Sequence, residues 1–260
     1  MAEVGLLFSQ QDGIARVTLN RPKQRNALSL QMVERLHDIW EEVDRDAAIR
    51  VVILDAAECG TFCAGMDLKE AARIKQQSGE DVLSRLKDPF HERMRAVNKP
   101  IVGACTGHLI AGGMMLALNC DIRIGQAGSR VGITETQLGR GSPWAVPLLW
   151  MLPQAVISEL ILTGELQAIE KFEKLGFINY LESDAAAVGA RALKLAERIR
   201  DNAPLSVMAG KASIRAAMEL GSAAGMAEAK RLHEPVYASQ DAQEGPRAFA
   251  EKRPPYWQGQ

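Results

Sequence analysis

The chain has 260 residues, 47% of them hydrophobic, which is enough to fill the core of one large domain and too apolar for a disordered chain. Its 31 Lys and Arg stand against 32 Asp and Glu, a formal net charge of -1, so no global field would gather nucleic acid or an anionic membrane. The four cysteines, Cys59, Cys63, Cys105 and Cys120, show neither a Cys-x-x-Cys pair nor a disulfide-scaffold spacing, and no metal site is expected.

The first ten residues carry an acid and no basic stretch ahead of a long apolar run, so a secretory signal is not expected and a reducing cytoplasm is the default location. Residues 15–20, "ARVTLN", alternate and are β-branched, which predicts a strand; the turn-rich "RPKQRNALS" follows. Met32, Val33, Leu36, Ile39, Trp40 and Val43 then recur at helical spacing while acids and Arg35 fill the other face. Residues 51–56, "VVILDA", read as a strand buried on both faces.

The same grammar repeats: a helix is predicted around 81–97, then the strand "PIVGAC", a short apolar helix after Gly113, and the strand "DIRIG". Residues 101–120 carry no formal charge over a spanning length. Pro100, His108, Asn119 and the Gly112-Gly113 pair divide them better into a buried strand, a turn and a buried helix. From about residue 165 onward amphipathic helices dominate, with little strand signal, and no flexible linker is visible. Repeated strand–helix units make the fold class α/β.

Two glycine-containing turns bear chemistry. "FCAGMDLKE" and "IAGGMML" each place small residues between a strand and a helix start, where backbone N–H groups lack intrahelical acceptors and suit an anion or a developing oxyanion. Together with "ARVTLNRPKQRNALS", "NKPIVGACTGHLIAGGMMLALNCDIRI" and "AFAEKRPPYW", in this order over nearly the whole chain, they resemble the crotonase superfamily, the enoyl-CoA hydratase/isomerase family.

The resemblance implies a crotonase-like spiral of ββα units over residues 1–199, holding the acyl-CoA site, and a C-terminal helical region over 200–260 used for trimerisation. It further implies an acyl-CoA thioester as substrate, with coenzyme A as part of it and no prosthetic group, no nucleic-acid or membrane partner, and a homotrimer or homohexamer. By match to the family motifs, the N–H groups of Met66 and Gly112 form the oxyanion hole for the thioester oxygen. Ala64, Asp67, Leu68 and Lys69 become contacts to CoA, alongside Met66 and Gly112, and Lys252 and Arg253 match a basic patch that family members lend to CoA phosphates.

Family hydratases add two glutamates that flank a water. Here the first position holds Met115 and the second Glu135, in "GITETQLGRGSPW". Met cannot carry a proton, so the resemblance implies one-base chemistry at Glu135: most simply enoyl-CoA isomerisation, or a non-standard hydration. A non-catalytic CoA-thioester-binding or scaffold member is the alternative. Trp144 is expected in the core or lining the acyl pocket, His108 as a hydrogen-bonded core residue, and His37, His91 and His233 at the surface.

Overall fold

The computed structural model describes residues 4–260. Strands β1 (Leu6–Gln11) and β2 (Ile14–Leu19) form a hairpin, and helix α1 (Leu30–Arg45) follows, capped by Ser29, whose Oγ accepts the Met32 N–H at 3.3 Å. The periodic residues of α1, from Met32 to Val43, are all buried, as their spacing predicts. Next come β3 (Val51–Ala56), β4 (Thr61–Cys63) and α2 (Leu68–Ser78).

The helix expected over 81–97 is a 3-10 turn at Val82–Arg85 and a short helix α3 (Glu92–Ala96), with an irregular stretch between them. Pro89 disfavours helical backbone at Asp88, whose carboxylate instead caps α3 by accepting the Glu92 and Arg93 N–H groups at 2.8 and 2.9 Å. The uncharged stretch 101–120 divides as expected into β5 (Ile101–Cys105), β6 (His108–Ile110) and α4 (Gly112–Leu118). Among the described residues no helix is long and apolar enough to cross a membrane.

The core continues through β7 (Ile122–Gln126), β8 (Arg130–Gly132), a 3-10 turn at Glu135–Leu138, a second at Pro143–Trp150, and α5 (Gln154–Thr163). The helical second half contains two short strands that composition does not announce. They are β9 (Gln167–Ala168) and β10 (Tyr180–Glu182), separated by α6 (Ile169–Lys174). Helices α7 (Ala185–Arg200), α8 (Pro204–Leu220), α9 (Ser222–Ala238) and α10 (Gln240–Ala250) complete the chain. Helices α9 and α10 are separated at Ser239, whose Oγ accepts the Ala242 N–H and starts α10.

From β3 to β8, successive strands alternate between two sheets. One has the order β1-β2-β3-β5-β7-β10, parallel apart from the β1 hairpin, and the other the order β4-β6-β8-β9. Each turn of chain therefore contributes one strand to each sheet before a helix or loop closes it, which is the spiral of ββα units. Strand β3 explains why its run is apolar throughout. Val52 and Leu54 pack into the main core, whereas Val51 and Ile53 meet Val188, Ala192 and Ala196 of α7 on the opposite face.

The β4–β6 pair matters most for function, because it brings the ends of both glycine turns together. Gly113, in the first turn of α4, lies so close to β4 that a Cβ there would come within 2.2 Å of the Cys63 carbonyl oxygen. Only glycine permits that approach.

Candidate active site

The turn after β4 and the turn after β6 lie back to back. A Cβ on Gly65 would sit 2.9 Å from the Ala111 Cβ and 3.2 Å from the Gly112 nitrogen, and Gly65 adopts φ 88°, a left-handed conformation open to glycine. Leu28 fixes the first turn from outside: its N–H donates to the Gly65 carbonyl at 2.8 Å and its carbonyl accepts the Asp67 N–H at 2.9 Å. Met66, between them, donates its N–H to no protein group among the described residues.

Ala111 precedes α4 at φ 50° and ψ -114°, a conformation that costs an L-residue about 1–3 kcal/mol and is held by its N–H to the Gly132 carbonyl at 2.9 Å. The strain aims the start of α4: the Gly112 N–H, first of the helix, likewise donates to no protein group among the described residues. Two adjacent strand-to-helix turns thus each present one unspent backbone donor.

Both turns border a cavity of about 140 Å³ whose walls are mainly apolar, with Leu28, Val82, Leu83, Phe90, Met115 and Trp144 among them. Glu135 borders the same cavity. Its Oε1 accepts the Trp144 Nε1–H at 3.0 Å, while its Oε2 is buried without a partner. Burial raises the pKa of Glu135 above its ordinary value, opposed in part by hydrogen bonds from its own backbone and from Trp144. Met115 is 6% exposed and also lines the cavity, so the lining holds one carboxylate, that of Glu135, and the thioether of Met115.

Of the residues expected to contact CoA, Ala64, Met66, Leu68 and Gly112 line the cavity. Asp67 does not. Its carboxylate accepts from Arg21 at 2.9 Å and from the Lys69 and Glu70 N–H groups at 3.2 and 3.1 Å, capping α2, and the Arg21 partner and these bonds hold its pKa low against burial. Lys69 is exposed on the first turn of α2, outside the cavity lining. Arg253 is engaged by Glu244 at 2.6 Å and Glu251 at 2.6 Å, a network that ties the C-terminal segment to α10. Lys252 is exposed beside it.

The histidines correct the sequence reading. His37 and His91 are buried, not surface residues: Lys87 of the 86–91 stretch covers the His37 ring, its Nζ 3.4 Å from Nδ1, and His91 stands at the start of α3. His108 is half-buried, and its Nδ1 accepts the Arg130 N–H at 3.0 Å, a role in strand pairing. His91 borders the cavity, and its pKa is pushed down to about 4 by burial, against the opposing charge of Asp88. Trp144 packs in the core and lines the cavity. Arg140 lines the rim, where Asp81 grips it with two hydrogen bonds of 3.0 and 2.7 Å.

The family described as enoyl-CoA hydratase/isomerase matches residues 9–260. The chain is 36% identical to enoyl-CoA hydratase EchA19 of Mycobacterium tuberculosis, over 93% of this chain and 92% of that protein. It is 34% identical to the mouse (Mus musculus) mitochondrial enoyl-CoA hydratase domain-containing protein 2, over 99% and 88% of the two chains. Among solved structures, an enoyl-CoA hydratase from Mycobacterium tuberculosis superposes with a TM-score of 0.89 at 36% identity, covering 99% of this chain and all (100%) of that one. The chain therefore belongs to the enoyl-CoA hydratase/isomerase family and has the crotonase fold.

Proposed function

We propose that the protein moves a proton on an enoyl-CoA thioester, with Glu135 as the single base and the Met66 and Gly112 N–H groups as its oxyanion hole. The thioester oxygen accepts both N–H groups, which favours loss of a proton from the carbon chain because the electron pair of the broken C–H bond can delocalise onto that oxygen. Glu135 takes the proton on Oε2 and the C–H bond becomes the enolate. Return of the proton to a different carbon of the conjugated system shifts the double bond with no change of mass.

Donors of this kind contribute roughly 3–4 kcal/mol to the barrier in enzymes where one has been removed, and a positioned acid/base about 10²- to 10⁴-fold in rate. One observation carries the reading: a half-buried carboxylate that spends one oxygen on Trp144 and leaves the other unpartnered, lining the same cavity as two unspent backbone donors. A scaffold member would gain nothing from holding that oxygen unsatisfied, which costs stability. Met115 speaks against two-carboxylate hydration at this site.

The test is product analysis by mass spectrometry over a panel of enoyl-CoA thioesters of different lengths and double-bond positions. The expected result is a product of unchanged mass with a displaced double bond. A product heavier by one water, with no displacement, assigns hydration instead, and no conversion of any thioester that binds assigns the scaffold role. CoA itself is proposed to lie along the Ala64 and Leu68 side of the cavity, and the cytoplasm remains the proposed location.

A further inference from the structure

Six buried side-chain atoms among the described residues lack a hydrogen-bond partner: on Trp40, His91, Thr106, Glu135 and, twice, Gln167. Only Glu135 and His91 belong to residues that line the cavity. The Glu135 atom has a role in the reading above. The His91 atom, Nε2, has none, and a buried orphan of this kind on a residue of a mainly apolar wall is a group without its partner.

The local structure holds His91 in place rather than leaving it free to turn away. It sits at φ 52°, in the left-handed region, at the start of α3, and is 2% exposed. Asp88, the acid whose charge acts on the ring, is spent on the Glu92 and Arg93 N–H groups, and the His91 carbonyl accepts the Asn119 side chain at 3.5 Å. The neighbours of His91 in the wall, Pro89 and Phe90, offer no side-chain hydrogen bond.

The chemistry of the cavity narrows what the partner is. A carboxylate on the acyl group would need a cation, and Arg140, the one Lys or Arg in the lining, is already held by both oxygens of Asp81. Burial keeps the His91 ring neutral near pH 7, so it supplies one polar atom and no charge. A hydroxyl can both donate and accept, and it therefore pairs with Nε2 in either tautomer of a neutral imidazole.

We propose that His91 is a specificity-determining residue whose Nε2 hydrogen-bonds a hydroxyl group carried by the acyl chain beyond the carbons that exchange protons. This rests on the cavity being the acyl site. A plain hydrocarbon chain would leave Nε2 buried and unpaired in the complex, whereas a hydroxylated one satisfies it; sites built this way discriminate strongly against the analogue that lacks the group.

The experiment compares two saturated, unreactive acyl-CoA thioesters of equal length, one with a hydroxyl on its distal carbons and one without, by calorimetric titration of the wild-type protein, His91→Phe and His91→Gln. The expected result is at least about tenfold tighter binding of the hydroxylated thioester by wild type, levelled to within about twofold in His91→Phe and partly restored in His91→Gln, which keeps a hydrogen-bonding atom. Equal binding of both thioesters by wild type overturns the assignment and gives Nε2 to a water, and so does a preference that survives in folded His91→Phe. If wild type prefers the hydroxylated thioester and His91→Phe does not fold, a preference unchanged in His91→Gln also overturns it, and a weakened one supports it. Binding of neither thioester overturns the acyl-site reading itself along with this one.

Discussion

At the residue scale the site turns on how one carboxylate is held. Trp144 fixes Glu135 by its Oε1 and leaves without a partner Oε2, the oxygen proposed to take the proton. The same hydrogen bond lowers the proton affinity of Glu135 while burial raises it, and the net shift is upward. Proton abstraction needs the ionised form, so activity should climb as pH rises through this raised pKa. Trp144→Phe keeps most of the apolar volume and removes the donor. It is expected to lower kcat about tenfold with little change in KM, and to move the ascending limb of the kcat profile to higher pH, because a bond that favoured the carboxylate is gone. A lower kcat with an unmoved pH profile would reduce Trp144 to a packing residue. Linkage gives a companion sign: because folding raises this pKa, the contribution of Glu135 to stability is present below its ordinary value and is lost as pH rises through the folded one.

At the scale of elements, the parts with a strong period were legible and those set by distant contacts were not. Helix α1 and strand β3 declare themselves because each buries a face, or two, that must be apolar along its whole length. The two turns were legible for a different reason: only glycine tolerates the approach of α4 to β4 and the left-handed backbone at position 65. The break between Arg85 and Glu92 was missed because Val82, Leu86 and Met94 are apolar at near-helical spacing, while the signal that ends the helix is the single residue Pro89. Strands β9 and β10 span two and three residues, too short for alternation to show, and exist because β8 and β7 offer them edges to pair with. Glu135 and Met115 could be placed through the family pattern, but His91 could not. Its burial follows from the irregular 86–91 stretch folding onto α1 and the cavity, which no local pattern in a charge-rich segment reveals.

For the whole molecule, the two-sheet spiral supplies a rigid frame on which two turns, a loop carboxylate and an apolar cavity meet. One surface of that frame is unfinished. Trp150, Val146 and Leu149 of the second 3-10 segment are 58%, 56% and 50% exposed, and Ile214 of α8 is 67% exposed; Trp150 and Ile214 line one groove. Apolar exposure on this scale is proposed to be covered by further copies of the chain, three or six in all, with the C-terminal helices in the contact. Light scattering should return a mass of three or six chains, and a monomer at micromolar concentration would refute the assembly. The central claim, that Glu135 exchanges a proton beside a thioester held by Met66 and Gly112, is tested most directly by following deuterium uptake into an enoyl-CoA in heavy water by NMR, for the wild-type protein and Glu135→Gln. The account predicts catalysed uptake at the carbons next to the conjugated system in wild type and a loss of about 10²-fold or more in the folded variant; uptake that is equal in the two, or absent from a wild-type protein that binds the thioester, would contradict it.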